Sequence, residues 1–597
     1  MAEILGITIC LGVLLFYFFA GRIIATHTLF GRNYAAAGLH NIFSAIGVWY
    51  FIALIATILE IKLNIAWWIF TSIIVILYFY FLSSRHEKLP REHTLTVPLT
   101  ILLFLVPAFY FVSADAPSQI QELLGYLRNS QYTASHFNVA NSDASAAYGL
   151  EKVTSPQAGL LALLPAYILN TTFFSSSFAI FNVLLLAFVA DTMVKLTDIN
   201  VRWSNLALVS AGSVFALTVL NPFFSLETLT IANADFIFAA AILTAMVPLC
   251  REKSLPLGFG AIPAALILSV ITGMHEMGVY AAIIIVSLWM IRKLFEEKTF
   301  TDSFFTLTVL IALPALSWHL WAFYAQDIEL AKISTYLNTD IIYIVKDSLS
   351  AFELLTLTAM LILLLIEIVS VRSYKDFKNL FTHNAWITLP TLFTCAYILV
   401  SIFSNENGFA NRIQFIAVVP FWYIATSWYK NSKWRKFAYE SPWALALSLA
   451  IVFMSFQSIA STSLKQRLND PQQHTSNVAT LLKENILAES DNLAILESTA
   501  DSQLYSAFMR YGLTEHKGKV LNANKILASS SLDLDIFFLK LKEEGFNYLW
   551  VHSPTERDKK WLGRFLKSDK SYLFKVNSDK LSLIRIYPHP SYDYKSL

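Results

Sequence analysis

The sequence predicts an α-helical polytopic membrane protein of about 14 transmembrane helices with a small C-terminal α/β soluble domain. Two features of its composition lead there. Of 597 residues, 56% are hydrophobic and only 14% are charged, where an ordinary soluble chain carries about 25% charge. A soluble fold so poor in charge would expose large apolar patches. The charge is also uneven. Residues 1–462 are about 11% charged and residues 463–597 about 26%, so a membrane region precedes a tail of ordinary soluble composition. Net charge is +2 with no polybasic tract, which argues against nucleic acid as a partner. Three cysteines, Cys10, Cys250 and Cys395, all sit in apolar runs and exclude a disulfide scaffold.

A membrane helix needs about 20 mostly apolar residues. Fourteen runs meet this: 4–20, 41–60, 64–82, 95–114, 176–195, 204–220, 229–249, 257–274, 277–291, 303–324, 350–371, 384–404, 413–429 and 442–462. The stretch 157–172 is shorter and interrupted by Pro165, and is expected to lie at the interface. With the N-terminus outside, 19 of the 25 Lys and Arg of residues 1–462 fall in cytoplasmic loops, as the positive-inside rule requires. The six outside are Lys62, Arg128, Lys152, Lys332, Lys346 and Arg412. The tail is then external, and no cleavable signal peptide is expected, because the start MAEILG lacks a basic region. In the tail, strand-like runs (LAILES, FNYLWVHS, YLFKV, LSLIRIY) alternate with amphipathic ones (QLYSAFMRYGL, LDIFFLKLKEE, DKKWLGRFLK). The expected organisation is three additional N-terminal helices in 1–94, a membrane domain 95–462 with an external loop 115–157, and an external α/β domain 463–597.

No P-loop pattern and no C-x-x-C is present. His275-Glu276 opens like a zinc H-E-x-x-H, but Val279 breaks it. The candidates are therefore polar groups on the outer face. Asp115 stands where the fourth run ends, before an amphipathic stretch with Ile120, Leu123, Leu124 and Leu127 at helical spacing. It suits a general base on a hydroxyl, and equally an N-cap ahead of Pro117. Asp235 is expected inside the seventh run, toward its outer half, where an ionisable group faces a cavity or another helix. His275 and Glu276 occupy the turn between the eighth and ninth runs, placed for phosphate binding, proton transfer or a plain polar turn. Arg412 opens the run 413–429, where its planar fork suits a phosphate or a lipid headgroup. Lys332 is a further phosphate candidate on the external segment 325–349.

This layout resembles the GT-C superfamily of integral membrane glycosyltransferases over roughly residues 95–597. Asp115 follows a span and opens the first large external loop. VTSPQAGLLALLPAYILN leads into a span with mid-span Asn182, and NRIQFIAVVPFWY looks like a late Arg-aromatic-Pro span. Ala116 follows Asp115, so the family's paired acid is missing. The resemblance implies a donor sugar on a polyprenyl phosphate and a lipid-linked or cell-envelope glycan acceptor in a plasma membrane. It implies Asp115 as base, inversion at the anomeric carbon, and Arg412 with His275 or Lys332 on the leaving phosphate. Asp235 and Glu276 would support the site or bind acceptor. No cofactor is required, and a divalent metal is left open. The competing classes are a transporter or flippase of lipid-linked glycans and a glycan polymerase or ligase acting on a diphosphate donor.

Overall fold

The computed structural model describes residues 2–27, 38–83, 156–169, 177–196, 203–224, 234–250, 258–275, 277–295, 300–325, 349–382, 384–404 and 409–431 of the helical region, and isolated positions between. In the tail it describes the strands, one helix and shorter pieces from 487 to 588. Two compact units result. One comprises residues 1–115 and 154–464, the other residues 116–153 and 465–597.

The first unit is a helical bundle. Its long helices are α1 (Ala2–His27), α2 (Gly38–Ile58) and α3 (Leu63–Ser83), followed by a short α4 (Ala158–Leu169). Next come α5 (Ser177–Leu196), α6 (Trp203–Thr218), α7 (Asp235–Cys250), α8 (Ile262–Met274), α9 (Met277–Phe295) and α10 (Phe300–Ala325). The last are α11 (Ala351–Val369), α12 (Tyr374–Thr382), α13 (Ala385–Phe403), α14 (Phe409–Ile413) and α15 (Val419–Asn431). Every apolar run except 95–114 and 442–462 overlaps a described helix, and those two lie almost wholly outside the described residues. Among the described residues seven helices are long and apolar enough to cross a membrane, and five further apolar helices are shorter. Among the described residues the run 204–220 ends in turn residues after Thr218, and parts of the other runs lie outside the described residues.

α2 is the hub. It packs against α1, α3, α4, α8 and α10, and its backbone meets α1 so closely that a Cβ on Gly21 would lie 1.7 Å from the Asn41 carbonyl oxygen. Such contact through a small residue is how helices associate where lipid removes the hydrophobic drive. The first helices, read from the sequence as an addition, are thus packed into the core of the same unit.

α4 carries the stretch expected at the membrane interface. Residues 158–167 are all buried, and the helix leans on the middle of α1 and α2. Twelve residues rise only about 18 Å, too short to span. Pro165 has no N–H for the Leu161 carbonyl one turn earlier. Trp49 Nε1 donates to that carbonyl at 2.7 Å, and Tyr17 Oη donates to the neighbouring Ala162 carbonyl at 3.0 Å. The Trp49 side chain of α2 therefore replaces the missing intrahelical bond where water is excluded, and Tyr17 of α1 adds a second bond beside it. Trp49→Phe is expected to cost roughly 1–3 kcal/mol, the penalty of a buried unsatisfied carbonyl, read as a lower unfolding temperature of the full-length protein. An unchanged unfolding temperature would show the carbonyl to be satisfied otherwise.

The second unit holds a five-stranded mixed sheet: β1 (Leu493–Glu497), β2 (Val520–Asn522), β3 (Tyr548–His552), β4 (Lys570–Val576) and β5 (Leu581–Pro588), in the order β2-β1-β3-β4-β5. β1 runs parallel to β2 and β3, while β3–β4 and β4–β5 are antiparallel. Alternate residues Ala494, Leu496, Leu549, Val551, Tyr572 and Phe574 form one buried face, closed by Phe537 and Leu541 of α16 (Leu534–Glu543). Leu493, Ile495, Trp550 and Leu573 on the opposite face are also fully buried. Four strands and α16 follow the sequence pattern; β2, three residues long, carries too little pattern to predict. The three cysteines are free thiols.

Candidate functional site

Three separated segments meet at one end of the helical bundle. α8 ends at Met274 and α9 begins at Met277, with His275 in extended backbone between them. The hairpin is tight because Gly278 lets the two helix ends cross: a Cβ there would lie 2.0 Å from the Ile271 carbonyl oxygen. The Gly278 amide donates to the His275 carbonyl at 2.8 Å, and Trp318 Nε1 donates to the Thr272 carbonyl at 3.1 Å, fixing the last turn of α8.

Asp235 is the first residue of α7. It is the seventh residue of the apolar run 229–249, whose residues 229–233 lie outside the described residues. A carboxylate at this end is favoured by the partial positive charge of the helix N-terminus. At the far end of α7 the buried Arg292 of α9 reaches the Pro248 carbonyl at 3.5 Å. α7 and α9 therefore run in the same direction, with α8 returning between them, as the alternation of loops requires.

Arg412 lies in the five-residue α14, and the predicted continuous span from 413 is broken. A 3₁₀ turn, Ile416–Val418, intervenes before α15 starts at Val419. Pro420 sits in the first turn of α15, where its missing N–H is tolerated. Asn221, just after α6, holds the break: its Nδ2 donates to the Gln414 carbonyl at 2.9 Å and to the Leu217 carbonyl at 3.2 Å, and its Oδ1 accepts the Phe223 amide at 3.1 Å. Phe415 packs edge-on against Phe236, ring centroids 5.1 Å apart. These positioning residues were not singled out from the sequence; the Asn221-Pro222 turn was the available signal.

The cluster follows. Arg412 Nε donates to Asp235 Oδ1 at 3.1 Å, with side-chain exposures of 7% and 19%. Arg412 Nη2 lies 3.1 Å from His275 Nε2. The Met277 amide nitrogen lies 3.1 Å from His275 Nδ1. A neutral imidazole accepts at one nitrogen only, so the tautomer sets which of the Met277 and Arg412 contacts is a hydrogen bond. Burial first, and the Arg412 charge second, hold the His275 pKa well below its ordinary 6.5. The ring is thus neutral beside a guanidinium, with Asp235 balancing the charge.

A depressed histidine pKa has a definite sign in stability. The unfolded chain takes up a proton near pH 6.5 while the folded ring does not. His275 therefore favours the folded state above that pH, and its contribution falls as pH drops from 6.5 toward the folded pKa. His275→Phe is expected to flatten the fall in unfolding temperature over that window. An unaltered profile would mean that His275 already titrates normally in the folded protein.

Of the six residues singled out, Asp235, His275 and Arg412 come together; Asp115, Glu276 and Lys332 lie outside the described residues. Among the described residues no group of three His, Cys, Asp or Glu is placed to hold a metal, and Arg412 beside Asp235 and His275 opposes a cation there.

Fold and site together define a helical protein with multiple membrane-crossing candidates, a buried Asp–Arg–His cluster at one bundle end, and a C-terminal mixed sheet. No protein-family model matches the chain, and no curated protein matches it. One similar solved structure is the archaeal oligosaccharyltransferase AglB from Archaeoglobus fulgidus, in complex with an inhibitory peptide and a dolichol-phosphate. The identity is 10%, covering 83% of this chain and 74% of that one, with a TM-score of 0.37. At that score the likeness assigns the chain to no family.

Proposed function

We propose that the protein is a membrane glycosyltransferase of GT-C type, moving a sugar from a polyprenyl-phosphate donor to an acceptor hydroxyl on the external face. The observation that carries this reading is the Arg412 guanidinium held between Asp235 Oδ1 and His275 Nε2, each at 3.1 Å, at one end of the bundle. A planar guanidinium so placed suits a phosphate oxygen. Asp235 keeps the guanidinium in place and lowers the cost of its burial.

In this reading Asp115 takes the proton of the acceptor hydroxyl. The resulting oxygen attacks the anomeric carbon as the bond from that carbon to the phosphate oxygen breaks, with inversion. The electron pair leaves on the phosphate, where Arg412, His275 and Lys332 stabilise it. Glu276 contributes to holding the acceptor, a lipid-linked or cell-envelope glycan. The roles of Asp115, Glu276 and Lys332 rest on the sequence pattern. No nucleotide is needed at this step.

Polyprenyl phosphate added to the purified protein is expected to raise its unfolding temperature, and His275→Phe is expected to shrink that rise. A protein that ignores the monophosphate lipid but is stabilised by a diphosphate lipid would belong to the polymerase or ligase class instead.

A further inference from the structure

At the far end of α9 from the His275 hairpin, α12 connects α11 to α13, two helices each long and apolar enough to cross a membrane. Nine residues, YKDFKNLFT, form it. Ser373 caps its start: Ser373 Oγ accepts the Asp376 amide at 3.2 Å and donates to Asp376 Oδ2 at 2.9 Å, and the Arg372 amide donates to the same oxygen at 3.1 Å. The connection is closed by Asn384, whose Nδ2 donates to Glu367 Oε2. Both acids of this corner are therefore engaged locally.

α12 is also docked firmly. Phe381 stacks on Phe295 at the end of α9 with centroids 4.9 Å apart, and Phe377 meets both rings edge-on at 5.6 Å. Leu380 is buried, while Tyr374 and Phe377 remain exposed. Along the helix, Arg372, Lys375 and Lys378 recur every three residues beside the aromatic row Tyr374, Phe377 and Phe381. Arg372 and Lys375 are exposed and Lys378 is half-buried.

We infer that α12 is a docking surface for anionic phospholipid headgroups, with Arg372 and Lys375 receiving the phosphates and Tyr374 and Phe377 seated among the upper acyl chains. Cations beside exposed aromatics on a short helix between two membrane-spanning segments match a headgroup layer in both charge and polarity. The aromatic cluster fixes the helix before any lipid binds, so little ordering accompanies binding. This inference is independent of the catalytic reading, since α12 and the Asp235–Arg412–His275 cluster lie at opposite ends of α9.

The test uses the full-length protein in nanodiscs of phosphatidylcholine alone or with one-fifth phosphatidylglycerol. Phosphatidylglycerol is expected to slow amide exchange over residues 374–382 and to remain bound in native mass spectra. Arg372→Gln and Lys375→Gln are each expected to lower that retention about fivefold, from about 1 kcal/mol per surface cation. Exchange in α11 and α13 checks that the variants stay folded, both sites being exposed. Inorganic phosphate is expected to leave the exchange unchanged. Equal exchange in both nanodiscs, equal retention by the neutralised variants, or protection by a soluble acidic peptide and not by phosphatidylglycerol would each overturn the inference.

Discussion

Arg412→Leu is expected to lower sugar transfer from a polyprenyl-phosphate donor by at least about 100-fold, the loss seen when one charge-stabilising donor is removed. It is also expected to destabilise the protein, because Asp235 would keep a charge at the bundle end without its partner. Breaking a buried pair costs roughly 3–5 kcal/mol; Asp235 retains 19% exposure, so the low end applies. The two losses separate in further variants. Arg412→Lys keeps a charge near Asp235 and is expected to recover much of the stability. A single ammonium cannot reach Asp235 and the space beside His275 Nε2 together, so transfer stays low. Pairing Arg412→Leu with Asp235→Leu removes both charges and is expected to restore stability without restoring transfer. Transfer recovered in that double variant would make the cluster structural alone.

Asp115→Asn is expected to lower transfer by roughly 10²–10⁴-fold, the range for losing a general base. Polyprenyl-phosphate binding and unfolding temperature are expected to stay unchanged, because the amide keeps the shape and the capping capacity of the carboxylate. If Asp115 were only a cap, the same substitution would leave transfer intact. Together the two variants test the division of work in the proposed function, with Arg412 on the leaving phosphate and Asp115 on the attacking hydroxyl.

The sequence made the ingredients of the cluster legible and left their meeting invisible. Asp235, His275 and Arg412 each stood out as an ionisable residue at the outer end of an apolar run. Their contacts cross 177 and 137 positions of chain, and only the packing of α7, α8 and α9 decides which helix ends touch. Gly278 was readable as part of a turn, but the close crossing it permits was not. The break after Arg412 escaped because IQFIAVVPF is apolar but for Gln414, and hydropathy does not distinguish a continuous helix from a 3₁₀ step between two. The burial of α4 escaped for a related reason. Its residues are uniformly apolar, so the pattern has no polar face by which to tell lipid from protein surroundings, and the bond that compensates Pro165 comes from Trp49, 112 residues from its acceptor. In the tail LAILES and YLFKV read as strands because they are short apolar runs, buried on both faces of the sheet, while LSLIRIY shows the period of two.

The most direct test is an experimental density map of the protein with polyprenyl phosphate bound. A phosphate oxygen within about 2.7–3.2 Å of both Arg412 and His275 Nε2 is the predicted result, with Asp115 facing the same cavity. A phosphate held elsewhere, with the Arg412–His275 contact unchanged and Asp115 on another side of the bundle, would contradict the account.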